Sequence, residues 1–282
     1  MIVAVTRISG ISLVCFLIHH TRSAILNPNT YYYMKIFLKI LSLLIPLLIT
    51  LSATANHHKV DLSSPEKLKT HNAVVKSVNY KGKKAIKAEI SDEAKAKLAE
   101  AMRQRQAGGN QGGPPTGDAT RVSHLIVIGE EFQNGTIEVQ VAGEPAPGSS
   151  GGARGFVGVA FRVQPDMETY DCFYLRPTNG RSNDQERRNH SAQYISHPDF
   201  PWYRLRQETP SKYETYVDLQ PATWTQVKIV VEGETAKLFV HGNDQPSLVI
   251  NDVKSGANGK GAVALWFEGS TVAHYSDVKI TR

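Results

Sequence analysis

RGFVGVAFRV, residues 154–163, is the stretch of sequence that decides the fold. From Val157 to Val163 an apolar side chain occupies every second position, which is the period of a β-strand with one face on a core. The inward set is Val157, Val159, Phe161 and Val163. The same parity places Arg162 on the opposite face.

This alternation recurs on both sides of the stretch, in segments separated by turn residues without an intervening helical period. The segments are residues 136–141, 172–176, 227–231, 238–240, 263–267 and 278–280. At least seven such strands predict an all-β, antiparallel sandwich of two sheets. About 200 residues is an ordinary size for one domain of this kind.

Residues 74–120 follow a different pattern. Two short strands around Lys81 and Gly82 predict a hairpin. Ser91 is then placed as the N-cap of a helix over residues 92–106, which are rich in helix formers but poor in large apolar side chains. We expect an insertion at residues 91–120, formed by one short surface helix and a flexible loop rich in glycine and proline.

Alternation also stops between residues 177 and 213, although this stretch carries aromatic residues and many arginines. A long irregular segment inside a compact domain is typical of a binding loop or a lid. The sequence therefore predicts a long loop over residues 177–213 that packs onto the sandwich through its aromatic side chains.

The amino-terminal part of the chain has the order of a secretory signal. Residues 34–55 have a basic start, an apolar middle and small residues before Ala55, which predicts a signal peptide cleaved near that residue. Residues 1–33 are expected to be an upstream extension that is not in the mature protein. The alternative is a two-helix membrane hairpin. The favoured interpretation predicts a secreted or periplasmic domain at residues 56–282, without a stable membrane span.

The charge balance bears on the class of partner. The chain has 32 lysines and arginines against 26 aspartates and glutamates, and four of the basic residues but none of the acidic ones precede residue 56. The mature chain is therefore close to neutral, which disfavours nucleic acid as a partner. Cys172 would be its only cysteine, so an internal disulfide is excluded.

Residues 132–138, 154–162, 261–266 and 275–280 together resemble the concanavalin A-like lectin and glucanase superfamily. More narrowly, they are similar to laminin-G-like jelly rolls and to bacterial domains grouped with 3-keto-disaccharide hydrolases. The resemblance implies a jelly-roll sandwich whose concave face holds a sugar. It also allows a structural calcium ion, without singling out a residue. The Glu-x-Asp-x-x-Glu motif of the glucanases is missing from the sequence, so no catalytic residue carries over from that branch.

Strand parity then selects a group of candidate ligand-binding residues on the non-core face. Arg162, Tyr174 and Arg176 lie there on neighbouring strands, with Trp266 and Glu268 on the equivalent face of a later one. Rings flanked by charged side chains suit the apolar faces and hydroxyl rim of a sugar. The alternative is that the long loop covers the rings for structural reasons.

Within residues 177–213 a basic cluster with aromatic residues forms a second candidate set. Its members are Asn179, Arg181, Asp184, Arg187, Arg188, His190, His197, Trp202 and Arg204. Guanidinium groups bind carboxylates and sulfates with two parallel hydrogen bonds, so an acidic or sulfated glycan would fit. The alternative is an internal network in which nearby acids neutralise the arginines. Those acids are Asp184, Glu186, Asp199 and Glu208.

Three hypotheses follow for function. The favoured one is an exported carbohydrate-binding domain, with residues 177–213 forming one wall of the groove. The second is a glycoside hydrolase or lyase in which Glu138 or Glu268 and His190 act as acid and base. The third is a structural adhesion module of the cell envelope. No histidine or cysteine spacing indicates a metal site, and no cofactor is expected.

Overall fold

The computed structural model describes residues 3–8, 11–16, 57–107 and 122–282. The chain divides into two compact units, residues 1–54 and 55–282. In the first, strands β1 (Val3–Ile8) and β2 (Ile11–Phe16) pair antiparallel. The predicted signal peptide at residues 34–55 lies outside the described residues. Within the described ranges no helix is long and apolar enough to cross a bilayer.

The second unit is built almost entirely of antiparallel strands. They are β3 (His57–Lys59), β4 (Thr70–His71), β5 (Ala73–Tyr80), β6 (Lys83–Ile90), β7 (His124–Phe132), β8 (Gly135–Pro145), β9 (Val157–Val163), β10 (Tyr170–Leu175), β11 (Ala192–His197), β12 (Glu214–Thr215), β13 (Thr225–Glu232), β14 (Thr235–Val240), β15 (Leu248–Ile250), β16 (Gly261–Phe267) and β17 (Thr271–Thr281). Within residues 57–107 and 122–282 three α-helices accompany them: α1 (Asp92–Ala107), α2 (Gln185–Asn189) and α3 (Trp202–Glu208).

The strands form two sheets. One has seven strands in the order β12-β11-β10-β9-β16-β7-β4. The other has the order β15-β14-β13-β8-β17-β6-β5, with β3 pairing to β17 as its eighth strand. The sheets face each other across a core that includes Val159, Phe161 and Phe173 from the first sheet and Ile137 and Ile229 from the second, all buried. The predicted all-β, antiparallel two-sheet sandwich is confirmed, and its strand order is that of a jelly roll.

The hairpin and the surface helix are also confirmed. Strands β5 and β6 pair along their full length, and both residues of the turn between them, Lys81 and Gly82, have a positive φ. Two positive φ values match the turn whose twist suits two-residue hairpins. Ser91 caps α1, because its side-chain oxygen accepts a hydrogen bond from the backbone of Ala94. The rest of the expected insertion, residues 108–120, lies outside the described residues.

The expectation of a long loop over residues 177–213 is wrong in its local structure. This stretch holds a 3₁₀ turn at Pro177–Asn179, α2, β11 and α3. The sequence analysis missed strand β11 because five of its six residues are buried. Both faces of the strand are covered, so its sequence does not alternate between apolar and polar residues. The segment is therefore part of the seven-stranded sheet and also its outer cover.

Candidate functional site

Two aromatic rings meet on the outer face of the seven-stranded sheet, the face turned away from the core. Tyr174 pairs with Gly158, which pairs in turn with Trp266 on the next strand. A Cβ on Gly158 would lie 2.2 Å from the carbonyl oxygen of Phe173, so no larger residue fits between the strands there. The rings of Tyr174 and Trp266 stack over this glycine with centroids 4.9 Å apart.

These rings are covered rather than open. Tyr174 is 2% exposed and Trp266 is 8% exposed. The indole nitrogen of Trp266 donates to the hydroxyl of Tyr170 over 3.0 Å, so its polar atom has a partner inside the protein. Helix α3 packs against β11, and its Leu205 is buried. The two rings are therefore buried and do not form an open surface for a sugar.

Arg162 is not on the outer face where strand parity placed it. It sits at a β-bulge between β9 and β16 and has a φ of 55°, and a bulge of this kind re-aims the side chain. Its guanidinium donates to the carbonyl oxygens of Gln133, Gly233 and Gly256 and to the hydroxyl of Ser255, at 2.7–3.1 Å. Arg162 is 1% exposed and ties three loops together at one end of the sandwich.

Arg176 stays on the predicted face but lies almost wholly beneath the surface, at 5% exposure. Its guanidinium donates to the carbonyl oxygen of His190 over 2.8 Å, to the hydroxyl of Tyr174 over 2.8 Å and to the side-chain oxygen of Gln193 over 3.2 Å. It also lies against the rings of Tyr174 and Phe156. Arg176 therefore connects the stacked rings to the segment that carries His190.

An open space lies next to Arg176, between the sheet and the helices of residues 177–213. We call it the arginine groove. Its deeper part is a cavity of about 240 Å³, and its lining is made of four arginines, one histidine, two aromatic rings and small polar positions. These residues are Gly152, Arg154, Phe156, Arg176, Asn179, Arg187, His190, Trp202 and Arg206. No acidic side chain of the described part of the chain lines this cavity.

A shallower depression of about 600 Å³ shares His190 and Arg206 with the cavity and so continues the groove. The remaining residues that line it are Glu186, Asn189, Pro210, Ser211, Glu214, Thr215 and Tyr216. The groove therefore runs from Arg154 and Phe156 at the start of β9 toward β12 at the edge of the sheet.

His190 lies where the two parts of the groove join, beside a buried carboxylate. Its Nδ1 is 2.8 Å from Oε2 of Glu214, a contact with the length but not the angle of a hydrogen bond. The Glu214 side chain is 4% exposed, and Arg206 binds both of its oxygens over 2.6–3.2 Å. Burial lowers the pKa of His190 against the pull of Glu214, with Arg206 and Arg176 adding to the decrease. The lowered pKa favours the neutral imidazole, which is the form that can accept a proton.

Of the residues predicted from the sequence, the groove brings together Arg176, His190 and Trp202. Trp202 is partly exposed and forms an apolar wall, with the guanidinium of Arg206 lying 4.8 Å from its ring centroid. Arg187 and Asn179 from the predicted basic cluster also line it. Residues 177–213 thus supply most of the wall, although as helices and turns.

Other predicted residues lie elsewhere and are engaged with other partners. Arg181 forms an exposed ion pair with Asp218, with distances of 2.7 and 3.0 Å. Arg188 donates to the hydroxyl of Tyr216 over 2.8 Å and lies over its ring.

The two predicted catalytic glutamates do not approach His190. Glu268 accepts hydrogen bonds from the backbone and hydroxyl of Ser270 in the turn between β16 and β17. Glu138 belongs to the other sheet, where it lies 3.4 Å from Lys279. Neither glutamate lines the groove. Alternation along a strand predicts which face of the sheet a side chain lies on. It does not predict which sheet the strand joins or where the residue lies within that sheet, so it could not separate these glutamates from His190.

Among the groove residues that the sequence analysis missed as binding residues are Arg154, Phe156, Arg206 and Glu214. Arg154 lies in the loop before β9, Phe156 directly before the strand, Arg206 on α3 and Glu214 on β12. No spacing in the sequence could have linked them. Phe156 directly precedes the inward-facing Val157, so the parity of β9 also assigns Phe156 to the non-core face, which is a partial signal.

The calcium ion that the resemblance allows stays an expectation, since loop carbonyls could hold it without a cluster of side chains. Within residues 57–107 and 122–282 no three histidine, cysteine, aspartate or glutamate side chains lie together as ligands for a metal ion. Cys172 is a free, buried thiol, and burial raises its pKa.

Solved structures of several proteins are similar to this fold. They include carbohydrate binding module CBM66 from Bacillus subtilis, with 12% identity over 76% of this chain and 94% of that one and a TM-score of 0.45. A galectin-like protein of unknown function from Bacillus subtilis has 10% identity over 81% and 98%, with a TM-score of 0.41. A β-glucanase from Bacillus licheniformis has 16% identity over 59% and 81%, with a TM-score of 0.32. At these values the likenesses assign no function.

The sequence itself matches no family model and no curated protein.

Proposed function

We propose that this protein is an exported carbohydrate-binding sandwich and that the arginine groove is its glycan site. The observation that carries the proposal is the composition of the groove. Two partly exposed rings, Trp202 and Phe156, stand beside Asn179, His190 and arginine side chains that can donate hydrogen bonds. Apolar ring faces and a rim of hydrogen-bond donors are complementary to a pyranose, which has apolar C–H faces and hydroxyl edges.

Export is the part of the proposal that rests on the sequence. The signal-like order of residues 34–55 predicts a mature protein that begins at Asn56. Amino-terminal sequencing of protein recovered outside the cytoplasm checks this directly.

Replacing Trp202 with alanine tests the groove. We expect the affinity of the variant to be at least about tenfold lower for every polysaccharide that binds the unchanged protein, because the apolar wall of the groove is removed. Affinity electrophoresis against neutral and acidic polysaccharides measures this effect. Trp224→Ala is the matched control, since its ring lies outside the groove against Tyr80. Retention of full binding by Trp202→Ala, with the fold intact, contradicts the assignment. Lack of binding to every polysaccharide rejects the carbohydrate-binding function itself.

A second candidate function is cleavage of the bound glycan. A neutral imidazole beside a buried carboxylate, with its Nε2 on the groove side 4.0 Å from Glu186, is an arrangement suited to a general base. Release of reducing ends or of unsaturated sugars in the same incubations, lost in a His190→Gln variant that still binds, would favour this candidate. Binding without any product favours the lectin-like function.

A further inference from the structure

The positive charge of the deep part of the arginine groove is largely uncompensated. Arg206 is paired with Glu214, but three other guanidinium groups line the cavity beside it. In the described part of the chain, Arg154 donates to the carbonyl oxygens of Gly151 and Ala153, and Arg176 donates to neutral oxygens as well. Neutral acceptors satisfy hydrogen bonds but leave the charge in place.

Arg187 strengthens this point. One of its terminal nitrogens reaches the side-chain oxygen of Asn179 over 3.4 Å, whereas its Nε is buried and has no hydrogen-bond partner among the described residues. A buried N–H of a charged group without an acceptor is costly, and a bound anion would supply the missing acceptor.

The arginines also make each other's charged form less favourable in this space. Burial lowers the pKa of Arg154, and the charges of Arg187 and Arg176 lower it further. The three like charges therefore lie close enough to repel each other in a partly desolvated space. An anion placed among them would relieve that repulsion and accept the unused donors.

We propose that the deep part of the arginine groove binds the acidic substituent of a glycan, a carboxylate or a sulfate ester, through Arg154, Arg176 and Arg187. This inference rests on the proposed carbohydrate-binding function and specifies its ligand class. The cavity of about 240 Å³ lies below the ~300–1,000 Å³ of sites for drug-sized ligands, so it suits one sugar residue and its substituent. The adjoining depression leaves room for the rest of the polymer.

The experiment compares matched polymers that differ in charge, using the full chain. Polygalacturonate is paired with its fully methyl-esterified form, and dextran sulfate is paired with dextran. We expect at least tenfold tighter binding of the charged member of one pair, measured by calorimetry, and the pair that responds identifies carboxylate or sulfate. Affinity should fall as salt rises, because the contact is between charges.

Substitutions locate the effect. Arg154→Gln and Arg187→Gln should each reduce the ratio of the affinities for the charged and the neutral polymer by about tenfold. Arg204→Gln is the matched control, because Arg204 lies on α3, pairs with Glu208 and does not line the groove. Thermal unfolding checks the fold of each variant, and the partly exposed Arg187 serves if the Arg154 variant does not fold.

Three results would overturn the inference. Equal binding of charged and neutral polymers would leave the carbohydrate-binding function standing but remove the acidic ligand. An equal loss in Arg204→Gln would show a general charge effect rather than a site. Equally tight binding of inorganic sulfate or of a DNA oligonucleotide would show an anion site without preference for a glycan. Absence of binding to all four polymers would instead count against the proposed function.

Discussion

At the residue scale, Arg162 shows how one backbone angle changes the role of a side chain. It lies in a strand whose parity predicts an outward position, but the left-handed φ at the bulge turns its guanidinium toward three loop carbonyls. These carbonyls belong to the β7–β8 turn, the β13–β14 turn and the loop after β15. The residue thus acts in stability, and the arginines of the groove come from other segments.

Replacing Arg162 with methionine keeps the length of the side chain and removes its donors. We expect the free energy of unfolding to fall by about 3 kcal/mol, because three buried carbonyl oxygens lose their partner. Urea unfolding measures the change. Arg181→Met, which breaks only an exposed ion pair, should cost less than about 1 kcal/mol. Weakened glycan binding by Arg162→Met at unchanged stability would return this residue to the binding site.

At the element scale, the seven-stranded sheet is shaped by what covers its outer face. Strand β11 extends the sheet, and the helix that follows it, α3, packs back onto that face. The stacked rings of Tyr174 and Trp266 are buried on that face, and the open groove lies at the side where Arg176 and Phe156 lie. Gly158 lies between Tyr174 and Trp266 in the sheet. Because it has no side chain, the two rings can stack above it.

A methyl group at position 158 should therefore be poorly tolerated. We expect Gly158→Ala to lower the free energy of unfolding by about 2–3 kcal/mol, since the added Cβ would meet the backbone of β10 and the strands must separate. Chemical unfolding followed by tryptophan fluorescence reports both the stability and the Trp266 stack. Gly151→Ala is the control, because a Cβ there meets nothing within 4 Å. Equal stability of the two variants would mean that the strands at position 158 are not held as closely as described.

At the scale of the whole molecule, the sandwich buries histidines as neutral groups. Burial lowers the pKa of His124, His197 and His274 to about 4, far below the usual value of 6.5. For each of them the folded-state pKa lies below the unfolded one, so protonation favours the unfolded chain. These histidines leave the free energy of unfolding undiminished above pH 6.5 and lower it progressively as the pH falls from 6.5 toward 4.

The free energy of unfolding should accordingly decrease over that pH range. His197 is the sharpest test, because burial alone accounts for its lowered pKa and its ring stacks on Tyr170 at 5.2 Å. His197→Phe keeps the stack and should reduce the decrease by about 2 kcal/mol. Urea unfolding at pH 4.5, 5.5 and 7 measures it, with the exposed His58→Phe as control. A pH dependence unchanged by His197→Phe would contradict a neutral, partly buried imidazole at this position.

The sequence by itself determined the class of fold. Period-two alternation over strands such as Val157–Val163 depends only on which residues avoid water, and the hairpin at Lys81–Gly82 and the Ser91 cap depend on neighbouring residues in the chain. Tertiary structure alone decided which candidates share a site. Strand β11 is buried on both faces, Arg162 is turned by a bulge, and the groove joins residues from Arg154 to Glu214. Such juxtapositions arise from packing between distant segments, for which local periodicity carries no signal.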